Sequence, residues 1–191
     1  MIKKILISSF ILFSLKVYSK DIESIEDSSI FIRRSIRRYS SQKVEQEKID
    51  RILRAAMQGP SAGNQRGFEF IVIKDQNKLK VLSDLGPYSD PVGKATIAIL
   101  VVGTPKNIPF PEVLDYDLSV STQNILLQTA EEGLGAVWLS VAPYKDRIEY
   151  VRTKLEIPKD KYPFSLIPIG YSREKNRFID RFDSSKIYNN Y

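Results

Sequence analysis

Strand-like and helix-like segments alternate along this chain. That order predicts an α/β fold, with helices packed on a parallel, doubly wound sheet. Three observations carry the prediction. Short runs rich in Val, Ile and aromatic residues, at 68–73, 95–102, 136–141 and 164–169, are bounded by Gly or Pro and read as strands. Apolar residues recur at helical spacing before and between them. No internal repeat or low-complexity tract breaks the pattern.

Taken in order, the chain opens on Lys3 and Lys4, followed by an apolar run at 5–15 relieved only by Ser. Lys16-Val17-Tyr18-Ser19 and an acidic stretch with Asp21, Glu23, Glu26 and Asp27 follow. A basic start, a short apolar run and small residues near a possible cut form a secretory signal. Val17 and Ser19 suit the −3 and −1 positions, with cleavage before Lys20. Residues 1–19 are thus expected to be a signal peptide and 20–191 a single domain, exported or periplasmic once the leader is cut and cytoplasmic if it is kept. The run is too short for a stable membrane span.

Four helices are expected. Residues 45–57 place Ile49, Ile52, Leu53 and Ala56 on one face, and 77–85 is a shorter candidate. Residues 114–132 carry Leu118, Ile125, Leu126 and Ala130, with Gly133 as the stop. Residues 147–156 line up Ile148, Val151 and Leu155 ahead of Pro158. The segments 86–93 and 104–111 read as mobile loops, the second with an exposed Phe110. A dinucleotide-binding domain needs a glycine-rich turn after its first strand. Here Lys74-Asp75-Gln76-Asn77-Lys78 follows instead, with no glycine.

Composition narrows the chemistry. The 191 residues include 29 Lys plus Arg and 23 Asp plus Glu, a net charge of +6, with no Cys and no His. Disulfides, thiol nucleophiles, thiolate-held zinc and iron–sulfur clusters are excluded, as are imidazole bases and His-based metal sites. Carboxylate pairs give no acid–base signal: Asp115 and Asp117 diverge on a helix, and no Asp/Glu spacing suggests a metal. An enzyme built from this chain therefore needs carboxylates, Lys, Tyr, a hard metal or a borrowed cofactor. The charge is too mild to name nucleic acid as a partner.

Four constellations could carry function. Arg33-Arg34-Ser35-Ile36-Arg37-Arg38-Tyr39 gathers guanidiniums and a hydroxyl suited to phosphate; taken alone it is equally a solvated basic turn, the commoner fate of a charge run. Gly59-Pro60-Ser61-Ala62-Gly63-Asn64-Gln65 lets backbone approach a flat ligand, with two amides to read a heterocycle edge; it also fits an ordinary helix-to-strand loop. Asp117 to Asn124, leading to Gly133-Leu134-Gly135, sets Ser, Thr, Gln and Asn inside an apolar helix, which suggests buried hydrogen bonds or a subunit interface. Arg177 to Asp183, then Ile187-Tyr188-Asn189, offers late basic residues that either complete a phosphate clamp or form a loose tail. Trp138 fits core better than site.

In this order, the four resemble the FMN-dependent nitroreductase family over about residues 28–191. Arg33, Arg34, Ser35 and Arg37 match its Arg-Arg-Ser-x-Arg start. Pro60, Ser61, Ala62 and Asn64 match Pro-Ser-Ala-x-Asn. Asp117, Ser121, Gln123-Asn124 and Gly133-Leu134-Gly135 match its helix pattern, and Arg181-Phe182-Asp183 with Ile187-Tyr188-Asn189 matches its ending. Arg66, Gly67 and Phe68 depart from the usual Gln, Pro and Trp, and Tyr188 stands at a common His position.

The resemblance implies an α+β fold in place of the doubly wound one: a central mixed β-sheet flanked by helices, in an intertwined homodimer with the long helix at the interface. It implies FMN as cofactor and NADH or NADPH as reductant, with ping-pong hydride transfer through flavin N5 to a small aromatic acceptor such as a nitroaromatic or quinone. Arg33, Arg34, Ser35, Arg37 and Arg181 would hold the phosphate and ribityl chain. Ser61, Ala62 and Asn64 would meet the ring from the other subunit, and backbone near Leu139 and Ser140 would approach N5. The flavin would be the reactive centre, so no catalytic side chain and no metal are expected. Two alternatives remain: an exported flavin-binding protein without NAD(P)H turnover, and a specialised reductase of dehalogenase or flavin-cleaving type.

Overall fold

All seven residues of β2 (Ile97–Gly103) are buried, and their side chains divide between two cores. Ile97, Ile99 and Val101 pack into one, and Ala98, Leu100 and Val102 into the other, as the two-residue period of a strand requires. Both faces of the sheet are therefore covered. The protein is described here by a computed structural model, over residues 28–174 and 177–188. The signal-like segment lies outside the described residues.

The sheet order is β1 (Phe68–Ile73), β2, β5 (Tyr162–Gly170) and β3 (Gly135–Ala136), with β4 (Leu139–Ser140) also on β5. Every pairing between these strands is antiparallel, which overturns the doubly wound alternative. A parallel contribution comes from the single bridge Ser35–Ala136. The architecture is α+β, with helices on both faces.

One face carries α2 (Gln46–Ala56) and α5 (Leu114–Glu131), through Ile49, Ile52, Ala56, Leu118 and Ile125. The other carries α3 (Gln76–Leu82), α4 (Asp90–Lys94) and α6 (Lys145–Leu155), through Leu79, Leu82, Val92 and Val151. A short α1 (Ser29–Ile32) precedes them. Asp75 caps α3, its carboxylate accepting from the Asn77 and Lys78 N–H groups at 2.8 and 3.0 Å. Three polar residues inside α5 are bonded within the chain, whereas the buried Thr129 hydroxyl has no partner among the described residues. The Ser121 hydroxyl donates to Ala56 O (2.9 Å), Asn124 to Ala55 O (3.0 Å), and Thr122 and Ser165 share a bond at 2.8 Å.

Two expectations need correction. The 86–93 segment is not simply loop, because α4 begins within it. Pro91 suits the first helical turn, and the Ser89 hydroxyl accepts from the Gly86 N–H at 2.8 Å. The 136–141 strand is also broken, into β3 and β4. Ala136 pairs with Ile169 and Leu139 with Leu166, so the interruption faces Ile167 and Pro168. Pro168 has no N–H to give to a ladder. Among the described residues no helix is long and apolar enough to cross a membrane.

Glu132 locks α2 to the end of α5. Arg51 donates to both of its carboxylate oxygens at 2.7 Å, and Gln128 to one at 2.9 Å. The Arg51 bond, followed by that from Gln128, holds the carboxyl below its ordinary pKa despite partial burial. A folded-state pKa below the unfolded one stabilises the fold above the unfolded value and ceases to do so as pH falls through the folded value. Glu132→Gln should therefore lower the thermal midpoint at neutral pH. The gap from wild type should close on acidification through the carboxylate range, about pH 5 to 3. Calorimetry across that range measures it; a gap independent of pH would refute the role assigned to this ion pair.

Candidate functional site

The arginine segment is extended and lies along the sheet. The Ile36 N–H donates to Ala136 O at 2.9 Å, and further on the Ser40 N–H donates to Tyr171 O at 2.8 Å. Alternation then sorts its side chains. Ile36 is buried, while Ser35 and Arg37 face out on the opposite side. The approach to β3 is so close that a Cβ at Gly135 would meet Ile36 at 2.6 Å, so this glycine is required. Beneath the segment, the Tyr39 hydroxyl donates to Ile36 O at 2.6 Å, and burial raises its pKa.

The C-terminal segment folds back beside it. Phe178 packs on Phe31 of α1 with ring centroids 6.1 Å apart, which carries Arg177 and Arg181 to the start of the arginine run. Arg34, Ser35, Arg37, Arg177 and Arg181 then line one cavity of about 880 Å³, together with Glu174. Glu174 lies 4.0 Å from Arg38, and none of the five arginines 33, 34, 37, 177 and 181 forms an ion pair among the described residues.

This cluster is electrostatically incomplete. The Nη1 of Arg34 donates to Phe31 O (3.1 Å) and Arg33 O (2.7 Å), which fixes the guanidinium plane. Its Nε and Nη2, and the Nε of Arg33, are buried without a partner. Desolvation, then the like charge of Arg181, lowers the pKa of both side chains. Buried donors and uncompensated positive charge of this kind are satisfied by an anion with several oxygens.

Arg37 also lines a second cavity of about 310 Å³, walled by Trp138, Leu139, Ser140, Tyr88 and Arg147. It lies where the strand breaks between β3 and β4. Trp138, expected in the core, is half-buried here, edge-on to Phe164 at 6.0 Å. Arg147 was missed in the sequence. Its Nη1 donates to Ser140 O at 2.9 Å, and its guanidinium sits 4.3 Å from the Tyr144 ring centroid. Neither contact leaves a local motif to read.

Ser61, Ala62 and Asn64 stand apart from these cavities, on the turn Ala62–Asn64 between α2 and β1. Asp117 of α5 organises this turn. Its carboxylate accepts from the Ala62 N–H at 3.0 Å and from the Gln65 amide at 2.6 Å. Gln65 is therefore not available to read a ligand: it also exchanges hydrogen bonds with the Phe110 backbone, at 3.1 and 2.9 Å. Gly63 has φ +54°, and a Cβ there would meet the Phe110 ring at 2.6 Å. Asp117 stands in the polar helix pattern that the sequence offers, but its part as the acceptor for this turn does not follow from that pattern. Asp115, two positions away, is exposed while Asp117 is buried, so the two diverge on the helix as expected.

A sequence model of the nitroreductase family matches residues 30–89 and 86–171. A Methanothermobacter thermautotrophicus protein provisionally named NADH dehydrogenase/NAD(P)H nitroreductase is 41% identical over 160 residues, 84% of each chain. A crystal structure from Clostridium acetobutylicum, provisionally described as an NADH oxidase, aligns with a TM-score of 0.82 at 40% identity, covering 84% of this chain and 98% of that one. An FMN-dependent nitroreductase from Clostridium difficile R20291 aligns with a TM-score of 0.77 at 33% identity, over 83% and 95% of the two chains.

Proposed function

Since the chain belongs to the nitroreductase family, we propose that its arginine cavity holds the phosphate of FMN and that it reduces nitroaromatics or quinones with NADH or NADPH. Relatives named for NAD(P)H and for FMN support an NAD(P)H-dependent FMN oxidoreductase. The observation that carries the reading is the pair of buried, unpartnered guanidinium nitrogens on Arg34, which lines the cavity, with the unpartnered Nε of Arg33 next to it in the chain. These residues fit a phosphate, and the neighbouring cavity behind Arg37 fits the start of a flat ring.

When bound, FMN would supply the hydride-transfer chemistry between nicotinamide and acceptor. The side chains bind and orient. Arg33, Arg34, Arg37 and Arg181 neutralise the phosphate, and the Ser35 hydroxyl adds a neutral donor. Arg147 fixes the Ser140 carbonyl and so the wall formed by Leu139 and Ser140. No side chain of the site is needed as acid or base.

The Ser61–Asn64 turn reaches the ring from a second copy of the chain. Two features support a homodimer. Among the described residues the turn lines neither of the two cavities that the site arginines line. Phe182, Ile187 and Tyr188 are 75%, 50% and 74% exposed on the C-terminal arm, apolar surface that a partner would cover. The secretory pattern at 1–19 supports export, and intact-mass measurement of native protein beginning at Lys20 would establish it.

The test is steady-state turnover of FMN-loaded protein with NADH and NADPH, against a nitroaromatic and a quinone. Parallel double-reciprocal lines are expected for at least one pair. Stable FMN binding without turnover would overturn the reductase and favour an exported flavin binder. Cleavage of the flavin, read by mass spectrometry, would identify the specialised reductase.

A further inference from the structure

A second cleft, of about 580 Å³, opens where β1 ends and β2 begins, and it shares no wall residue with either cavity of the flavin site. Its floor is apolar: Val44, Ala95 and Ile97 are all buried. Its rim is cationic, with Lys43, Lys74 and Lys94, and no acidic side chain stands in the wall. Lys94 pairs with Asp90 outside the cleft, whereas among the described residues Lys74 donates to the neutral Gln46 amide, at 2.5 Å, and makes no ion pair. Lys43 makes no ion pair among the described residues. Asp75, the carboxylate next to Lys74, is engaged in capping α3.

Within this wall the Thr96 hydroxyl is buried and has no hydrogen-bond partner. A buried, unsatisfied polar atom at the edge of a cavity calls for a ligand group or a water to complete it. A neighbouring cavity of about 450 Å³ shares Ser41 and Lys94 and adds Arg38 and Arg173, so positive charge continues along the groove. Nearby, the Glu174 carboxylate lies 4.0 Å from Arg38.

We propose that this cleft is a second binding site, for a small organic anion with an apolar body, an aryl carboxylate or aryl phosphate. The charge selects the anionic head and Thr96 gives it one fixed polar contact. The floor of Val44, Ala95 and Ile97 takes the ring. The volume suits such a ligand, since small-molecule sites run to about 300–1,000 Å³. This site is additional to the flavin site and does not depend on it.

The test is amide-resolved NMR titration of the full chain, pre-saturated with FMN to fill the arginine cavity. The probes are benzoate, phenyl phosphate, inorganic phosphate and benzyl alcohol. Benzoate or phenyl phosphate should shift the Val44, Thr96 and Ile97 amides saturably and leave those of Ser35 and Arg37 in place. Whichever of the two binds more tightly names the head group. Lys43→Glu combined with Lys74→Glu should weaken that binding about tenfold or more, with an unchanged thermal midpoint. Shifts confined to the arginine cavity, no saturable shift, or insensitivity to the charge reversal would each overturn the proposal. Inorganic phosphate or benzyl alcohol binding as tightly as the aryl anions would overturn it too. Because the readout is by residue, cleft binding in a chain that fails to take up FMN leaves this site standing and sinks the flavin reading.

Discussion

Arg37→Ala combined with Arg181→Ala should yield a folded, colourless protein whose FMN affinity is down by about 10²–10⁴-fold. Each charge-assisted contact to a phosphate contributes about one to two powers of ten. Single variants should show the corresponding parts, measured by fluorescence quenching of titrated FMN. Arg34→Lys separates charge from geometry. It keeps the positive charge but loses the Nε and Nη2 donors that are buried and unpartnered. Lysine offers a point charge where the fork is needed, so affinity should still fall about tenfold. The FMN-free protein should behave in the opposite sense. Burial first, and then the like charge of Arg181, lowers the pKa of both Arg33 and Arg34, so the folded state holds these cations less readily than the unfolded one. Removing Arg181 relieves that repulsion, and the thermal midpoint of the FMN-free chain should hold or rise. A variant that loses stability and FMN in parallel would mean that Arg181 supports the fold rather than the ligand.

The β1 run and the long α5 helix were legible in the sequence because their patterns are local. Strand direction was not. The unbroken apolar run at Ile97–Val102 reports burial on both faces, which is common for parallel strands but holds here for an antiparallel one because helices cover both sides. The break between β3 and β4 is set by Pro168, distant in sequence, and α4 was hidden in a stretch read as loop. At the site, Arg34, Ser35 and Arg37 announce themselves as a dense charged run, and Arg181 joins them once Phe178 is seated on Phe31. Asp117, Gln65 and Arg147 were opaque in their roles. Asp117 and Gln65 meet across more than fifty residues, and Arg147 bonds a backbone carbonyl rather than a side chain; neither kind of hydrogen bond leaves a periodic trace.

Mixing two inactive chains should restore activity. In one chain the arginines are disabled by Arg37→Ala with Arg181→Ala; in the other the turn is disabled by Asp117→Ala. The second lesion removes the acceptor that holds the Ala62 N–H and the Gln65 amide, and so frees the Ser61–Asn64 turn. Asp117 is buried and its removal leaves these donors unpaired, so the variant is first checked for a cooperative thermal transition. Each variant alone should fall to a few per cent of wild-type turnover or less. If every flavin site takes its arginines from one chain and its turn from the other, a mixed dimer holds one site with both lesions and one with neither. Random reassociation after co-refolding should then recover about a quarter of wild-type turnover and of bound FMN, as two-fold symmetry with shared sites requires. A site contained within one chain predicts no recovery at any mixing ratio, because each chain carries its own defect wherever it goes. The separation of the turn from the arginine cavities within one chain favours recovery, and the exposed Phe182 and Tyr188 of the arm supply apolar surface to hold the copies together. Truncation after Phe178 would sharpen the distinction. It removes Arg181 and the arm together, so its failure to complement Asp117→Ala, where the Arg37→Ala and Arg181→Ala chain succeeds, would assign the arm to assembly.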